Sequence, residues 1–240
     1  MKIRYQRWLS FLFYVLFIGG IVLFVIGTTY YFSASISESR ENFYNYRSSN
    51  GRITEAHFDR VYNDLTKAIQ DDPSHTDLYL ARAESLERRH DYQAAAEDFY
   101  RYVTDYRSKP CKVPAMEFTG GNKTLTYSLE IKYTCDMHII PIRLSQSQHL
   151  SVTAISSGVD YVDSLIVLLD PDGVPITASN HTYSNTDTYG RYRRVLSRGA
   201  TIPTIQLEQD DIYTLIVTHA GFDGLWGGYG DIAVNLTLSG

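Results

Sequence analysis

Residues 125–133 read Leu-Thr-Tyr-Ser-Leu-Glu-Ile-Lys-Tyr. Leu125, Tyr127, Leu129, Ile131 and Tyr133 alternate strictly with Thr126, Ser128, Glu130 and Lys132. A period of two puts one residue set on each side of a pleated strand, so this segment is a strand with one apolar and one wet face. The chain ends on the same pattern, with Ile232, Val234, Leu236 and Leu238 on one side. Between these two segments lie further apolar runs near 137–144, 149–156, 164–169, 192–196, 201–207 and 212–219. Ser156-Ser157-Gly158, Asp170-Pro171-Asp172-Gly173 and Gly227-Gly228 punctuate them as turns. Eight or more short strands at this spacing predict an antiparallel β-sandwich over 125–240, long enough to bury its own core.

Upstream the period changes. Lys109-Pro110 and Pro114 mark a linker over 108–124, and before it the apolar residues recur at helical spacing. Phe58, Val61, Leu65, Ala68 and Ile69 line one face of a helix over 54–70, with Thr54 placed to cap it and Asp72-Pro73 to end it. Ser74-His75-Thr76-Asp77 reads as a capping box opening a second helix over 75–89. Asp91 caps a third over 92–106, with Ala95, Phe99, Tyr102 and Val103 inward. Short connections make neighbours antiparallel.

The start of the chain is of a third kind. From Trp8 to Phe32 there is no charged residue, behind Lys2, Arg4 and Arg7. As a helix this stretch is about 37 Å long, enough to span a hydrocarbon core. With Trp8 and Tyr30-Tyr31 at its ends, it predicts a single transmembrane helix over 8–32. The basic tail 1–7 is then cytoplasmic, and a polar linker over 33–53 leads to extracytoplasmic domains. Partner one is thus the lipid bilayer, through residues 8–32. The rival reading is a cleaved signal peptide, with Ser33-Ala34-Ser35 as the cleavage site; the apolar run is long for that. The fold class expected is α+β multidomain: one N-terminal transmembrane helix, a three-helix repeat-like segment over 54–107 and the sandwich.

Charge and cysteine content narrow the function classes. The 240-residue chain carries a net −5, and the part behind the apolar run −8. This argues against nucleic acid, whose readers present a basic surface. Two cysteines are too few for a disulfide scaffold or a thiolate metal cage. In an oxidising compartment Cys111 and Cys135 either pair or stay as buried thiols. Sequons stand at Asn122, Asn180 and Asn235. None of the seven histidines sits at zinc spacing, and there is no Gly-x-Ser-x-Gly elbow or phosphate-cradling glycine loop, so nothing proposes an enzyme or a cofactor.

Tyr79, Ala83, Leu86, Asp91-Tyr92, Ala95 and Phe99 fall in the register of the tetratricopeptide repeat, which this segment resembles. One period upstream, Val61, Leu65, Ala68 and Pro73 match the second half of a preceding repeat. The pattern departs at Arg82, where the repeat prefers Leu, and at Tyr102, where it prefers Ala. One and a half repeats make too small a core to stand alone, so the segment must lean on the last domain or on a partner. The resemblance implies a concave face of Asp77, Leu80, Glu84, Glu87 and Arg88 as partner-binding candidates; the alternative is a solvated helix face.

Asp163 to Gly173, a hydrophobic strand followed by Asp-Pro-Asp-Gly, together with the late strand Ile212–Val217, resembles the bacterial prepeptidase C-terminal domain. Asp211 stands where that family has Gly. The resemblance implies a β-sandwich accessory without chemistry of its own. The Asp170–Gly173 turn lacks the acids of a calcium loop, and turn chemistry alone explains it. Two loops remain as binding candidates. Arg191, Tyr192, Arg193 and Arg194, with Arg198, form a hot-spot composition or an outer strand face. Phe222, Trp226 and Tyr229 on a glycine-rich loop grip a partner or sugar, or cap the sandwich. The function expected is a membrane-anchored extracytoplasmic accessory or scaffold binding other protein subunits. The alternative is a carbohydrate- or cell-wall-binding module, with Tyr192, Trp226 and Tyr229 exposed.

Overall fold

The computed structural model describes residues 55–106, 110–112, 116–117, 123–132, 136–145, 148–157, 162–180, 182–183, 195–197, 199–220 and 229–240. Among the described residues three helices come first: α1 (Glu55–Asp71), α2 (Thr76–Arg88) and α3 (Tyr92–Tyr106). Twelve strands follow: β1 (Pro110–Lys112), β2 (Met116–Glu117), β3 (Lys123–Ile131), β4 (Met137–Leu144), β5 (His149–Ser156), β6 (Ser164–Leu169), β7 (Pro175–Ser179), β8 (Thr182–Tyr183), β9 (Val195–Ser197), β10 (Ala200–Gln206), β11 (Asp211–His219) and β12 (Gly230–Ser239).

Two sheets stack face to face. One runs β1-β4-β11-β6-β7, with β2 also on β4, and the other β10-β5-β12-β3; β8 and β9 form a small ribbon. Ile140, Ile142, Leu144, Ile166, Leu168, Leu215 and Val217 point inward from the first sheet. They meet Leu150, Val152, Ala154, Ile232, Val234, Leu236 and Leu238 of the second. At one corner, His138 on β4 bonds the Glu130 carbonyl at 3.0 Å. At the other, the Thr201 N–H donates to Ser179 Oγ at 2.9 Å.

The helices cover the other face of the first sheet. Leu165, Val167, Leu169, Ile216, Met137 and Ala178 share one apolar cluster with Phe58, Leu65, Leu78, Ala83, Ala95, Phe99 and Tyr102. β6 is therefore buried at all six positions. That is why its sequence is the unbroken Ser-Leu-Ile-Val-Leu-Leu rather than an alternation. β3 and β12 have no such cover and alternate.

The expected fold class is corrected on three points. The molecule is not a chain of separate α and β domains, because helices and sandwich share one core. The first sheet is not wholly antiparallel: β1 and β2, inside the expected linker 108–124, pair in parallel with β4. The expected membrane-spanning helix is not among the elements found: no helix among the described residues is long and apolar enough to cross a membrane. The stretch 8–32 that carries this expectation, with the tail and the 33–53 linker, lies outside the described residues.

The turns show their local causes. α2 ends in a Schellman motif, with the Asp91 N–H on the Leu86 carbonyl and the His90 N–H on that of Glu87, both at 3.1 Å. His90 takes the left-handed position, φ 69°, where glycine is usual. The expected capping box does not form. His75 occupies the N-cap without a side-chain bond, and Ser74 turns back, its N–H and Oγ donating to Asp72 Oδ1. Asp91 does cap α3, accepting from the Ala94 N–H at 3.4 Å.

Candidate functional site

The helix-to-sandwich seam holds most of the residues expected on a concave face. α2 is amphipathic with polar side chains on both flanks, and the flank bearing Glu84, Glu87 and Arg88 faces the sandwich. These three are only 3%, 0% and 6% exposed, and Leu80 is buried beside them. Asn180, at the end of β7 and itself buried, donates from Nδ2 to Glu84 Oε1 at 2.8 Å and from its backbone N–H to Glu87 Oε1 at 3.2 Å. The face is thus turned inward onto this chain's own sheet, neither solvated nor open to a second protein. Asp77 is half-buried in the first turn of α2, where its charge suits the helix dipole.

The two departures from the repeat pattern act in the same assembly. Arg82 grips Asp98 of α3 with two bonds, Nε to Oδ2 at 2.7 Å and Nη2 to Oδ1 at 2.8 Å. Its Nη1 reaches Thr66 of α1 at 3.2 Å, so one guanidinium ties three helices. Burial pushes the Asp98 carboxyl above the ordinary carboxylate range, more than the donation from Arg82 pulls it down. Tyr102, fully buried, directs its hydroxyl to the Ala220 carbonyl at 3.5 Å, linking α3 to the end of β11. An Ala there reaches nothing.

A cleft of about 330 Å³ opens where the helices, the β6–β7 turn and the β10–β11 loop meet. Gln93, Asp170, Ile176, Thr177, Ile205, Gln206, Leu207, Glu208, Gln209 and Tyr213 line it. Each comes with a local reason. Gln93 is the second residue of α3, placed by the Asp91 cap. Asp170 is fixed by its turn: its Oδ1 accepts the Val174 N–H at 2.8 Å, its carbonyl the Gly173 N–H at 3.0 Å. Gly173, at φ +81°, makes that turn possible. In β10 the register on β5 slips by one residue between Ile202 and Ile205, across Pro203. Proline is tolerated in strands at such bulges. The slip sets Ile205 opposite Leu150, on the inner side, and aims the strand end at the cleft. Tyr213 forms a tyrosine corner, its hydroxyl bonded to both the N–H and the carbonyl of Gln209, four residues upstream.

Among the described residues the cleft carries two carboxylates, Asp170 and Glu208, and no Lys, Arg or His. Neither carboxylate has an ion-pair partner among the described residues. Apolar walls from Ile176, Ile205 and Leu207 stand beside them. No cluster of three or more His, Cys, Asp or Glu side chains suited to a metal occurs among the described residues. Sequence reasoning missed this cleft because its lining comes from four separate segments; Pro203 and the Asp-Pro-Asp-Gly turn are its only local signals.

Other expected positions fall elsewhere. Tyr229 is partly buried against the sandwich core, its ring 5.6 Å from that of His219. Arg191, Tyr192, Arg193, Arg194, Arg198, Phe222 and Trp226 lie outside the described residues, as do Cys135 and Asn122. Cys111 sits on β1, in register with His138 of β4. Asn235 lies on the outer face of the second sheet, in a cross-strand row with Thr126 and Thr153.

No family model matches this chain, and no curated protein matches it. Among solved structures it is similar to PliG of Aeromonas hydrophila, a periplasmic lysozyme inhibitor of g-type lysozyme. The identity is 12% and the TM-score 0.31, over 55% of this chain and 96% of that one. It is also similar to the pre-peptidase C-terminal domain of a Bacillus anthracis collagenase, at 12% identity and TM-score 0.33, over 55% and 98%. A third is CorA, a surface-associated copper-binding protein of Methylomicrobium album BG8, at 10% and 0.29, over 54% and 99%. Likenesses this slight do not bear on function.

Proposed function

We propose that this chain is an extracytoplasmic, non-catalytic protein-interaction module, an accessory subunit in a larger assembly. One observation carries the reading: a preformed recess where the helix layer meets the two sheets, lined by both carboxylates and apolar side chains, with walls fixed by a capped helix, a tight turn and a tyrosine corner. Recesses that are built rather than incidental are where ligands seat. The export part of the reading is supported by sequence alone, through the basic tail and the charge-free run from Trp8 to Phe32. The resemblance of 163–173 to prepeptidase C-terminal modules, accessories of exported proteins, agrees with it. The helices, by resemblance a repeat fragment, serve here as the sandwich's second cover. Carbohydrate stacking on Tyr229 is not favoured, because that ring is turned inward.

In-cell cross-linking followed by affinity purification of the full chain tests the reading. A defined protein partner at fixed stoichiometry is expected. A strictly partner-free protein overturns it.

A further inference from the structure

We infer that the cleft between α3, the β6–β7 turn and the β10–β11 loop receives a basic side chain, Arg or Lys, of a protein partner. This rests on the interaction reading above and names the chemistry of the contact. Asp170 and Glu208 bring negative charge to a recess that holds no positive residue among those described, and neither is neutralised by an ion pair among the described residues. A neutral occupant leaves Glu208 and the second oxygen of Asp170 to water; an anionic one is repelled. Ile176, Ile205 and Leu207 supply an apolar wall beside the charges. An aliphatic stem ending in a cation matches that division, because long basic side chains pack their methylenes on apolar surface while the head seeks acceptors. The surplus of acid over base beyond residue 32 steers such a partner by long-range attraction.

The test uses the full chain and a small probe, N-acetyl-arginine amide, against its neutral isostere N-acetyl-citrulline amide and against maltotriose. The readout is the side-chain amide resonances of Gln93, Gln206 and Gln209. Saturable shifts with the arginine probe alone are expected, weakening as salt is raised. Asp170→Asn and Glu208→Gln should each weaken the arginine response about tenfold. Asn keeps the oxygen that accepts the Val174 N–H, and Glu208 is exposed, so both variants retain the turn and the fold. Equal shifts with citrulline, shifts with maltotriose alone, or no shift at these three residues overturns the inference. In cross-linking, the double variant should lose the partner that the natural chain captures. If it keeps that partner, the cleft is not the contact while the interaction reading stands. If the natural chain captures none, the interaction reading itself fails.

Discussion

Arg82 and Asp98 decide more of this fold than their surface chemistry suggests. A guanidinium bonded twice to one carboxylate and once to Thr66 holds three helices in one arrangement. Asp98→Ala leaves that cation without its carboxylate at a largely buried site and should destabilise by about 3 kcal/mol, read by urea unfolding. The pH dependence has a definite sign. The folded Asp98 carboxyl titrates above its unfolded value, so the folded state binds the proton more readily. Its contribution is therefore greatest below the ordinary carboxylate range and is lost as pH rises through the raised folded value. Stability of the natural chain measured against Asp98→Asn should fall over that window; a rise sinks the assignment. His90 offers a gain: at φ 69°, His90→Gly should stabilise by about 0.5–1 kcal/mol, seen as a higher midpoint. Gly173→Ala should lose about as much, at φ +81° in a spot with open space around it.

Among elements, β6 and the α2 flank carry the argument. The alternation of 125–133 states that one side of β3 is wet, and the unbroken run of 164–169 states that neither side of β6 is. Both statements are local and legible. Which layer covers the second side of β6 is not legible, since any apolar cover satisfies the same run. Leu165→Ala strikes the helix layer and Ile166→Ala the sandwich layer; each should destabilise by about 2–5 kcal/mol. β7 escaped notice because Pro175-Ile-Thr-Ala-Ser has neither alternation nor length, and its pairing on β6 follows from the preceding turn. β1 and β2 are shorter still and gain strand form only by lying parallel on β4. Asn180 sits in a sequon, yet its side chain is buried and bonded to Glu84. In a glycosylating host it should stay unmodified, as intact mass and peptide mapping of the folded protein will show. Asn180→Ala should destabilise by about 1–3 kcal/mol by leaving Glu84 short of a donor.

At the scale of the whole molecule the three layers stand together. Removing α1–α3 strips Leu165, Val167, Leu169 and Ile216 of their cover, and a fragment of 110–240 should bind hydrophobic dye and aggregate. The full chain should unfold in one cooperative transition shared by helical and sheet signals; two separated transitions contradict a common core.

The amino-acid sequence by itself determined three helices, read over 54–70, 75–89 and 92–106 and formed within a residue of those bounds, the long strands, and the turns at Asp170–Gly173 and Asp91. It did so because period and turn chemistry act over a few residues. Only the tertiary structure decided that the acidic flank of α2 faces inward, that Arg82 and Tyr102 are joints, and that four distant segments enclose a cleft. Periodicity records whether a side chain meets water or protein but not which protein surface it meets. Glu84 finds its donor 96 residues away, and a buried polar group can be understood only with that partner in place.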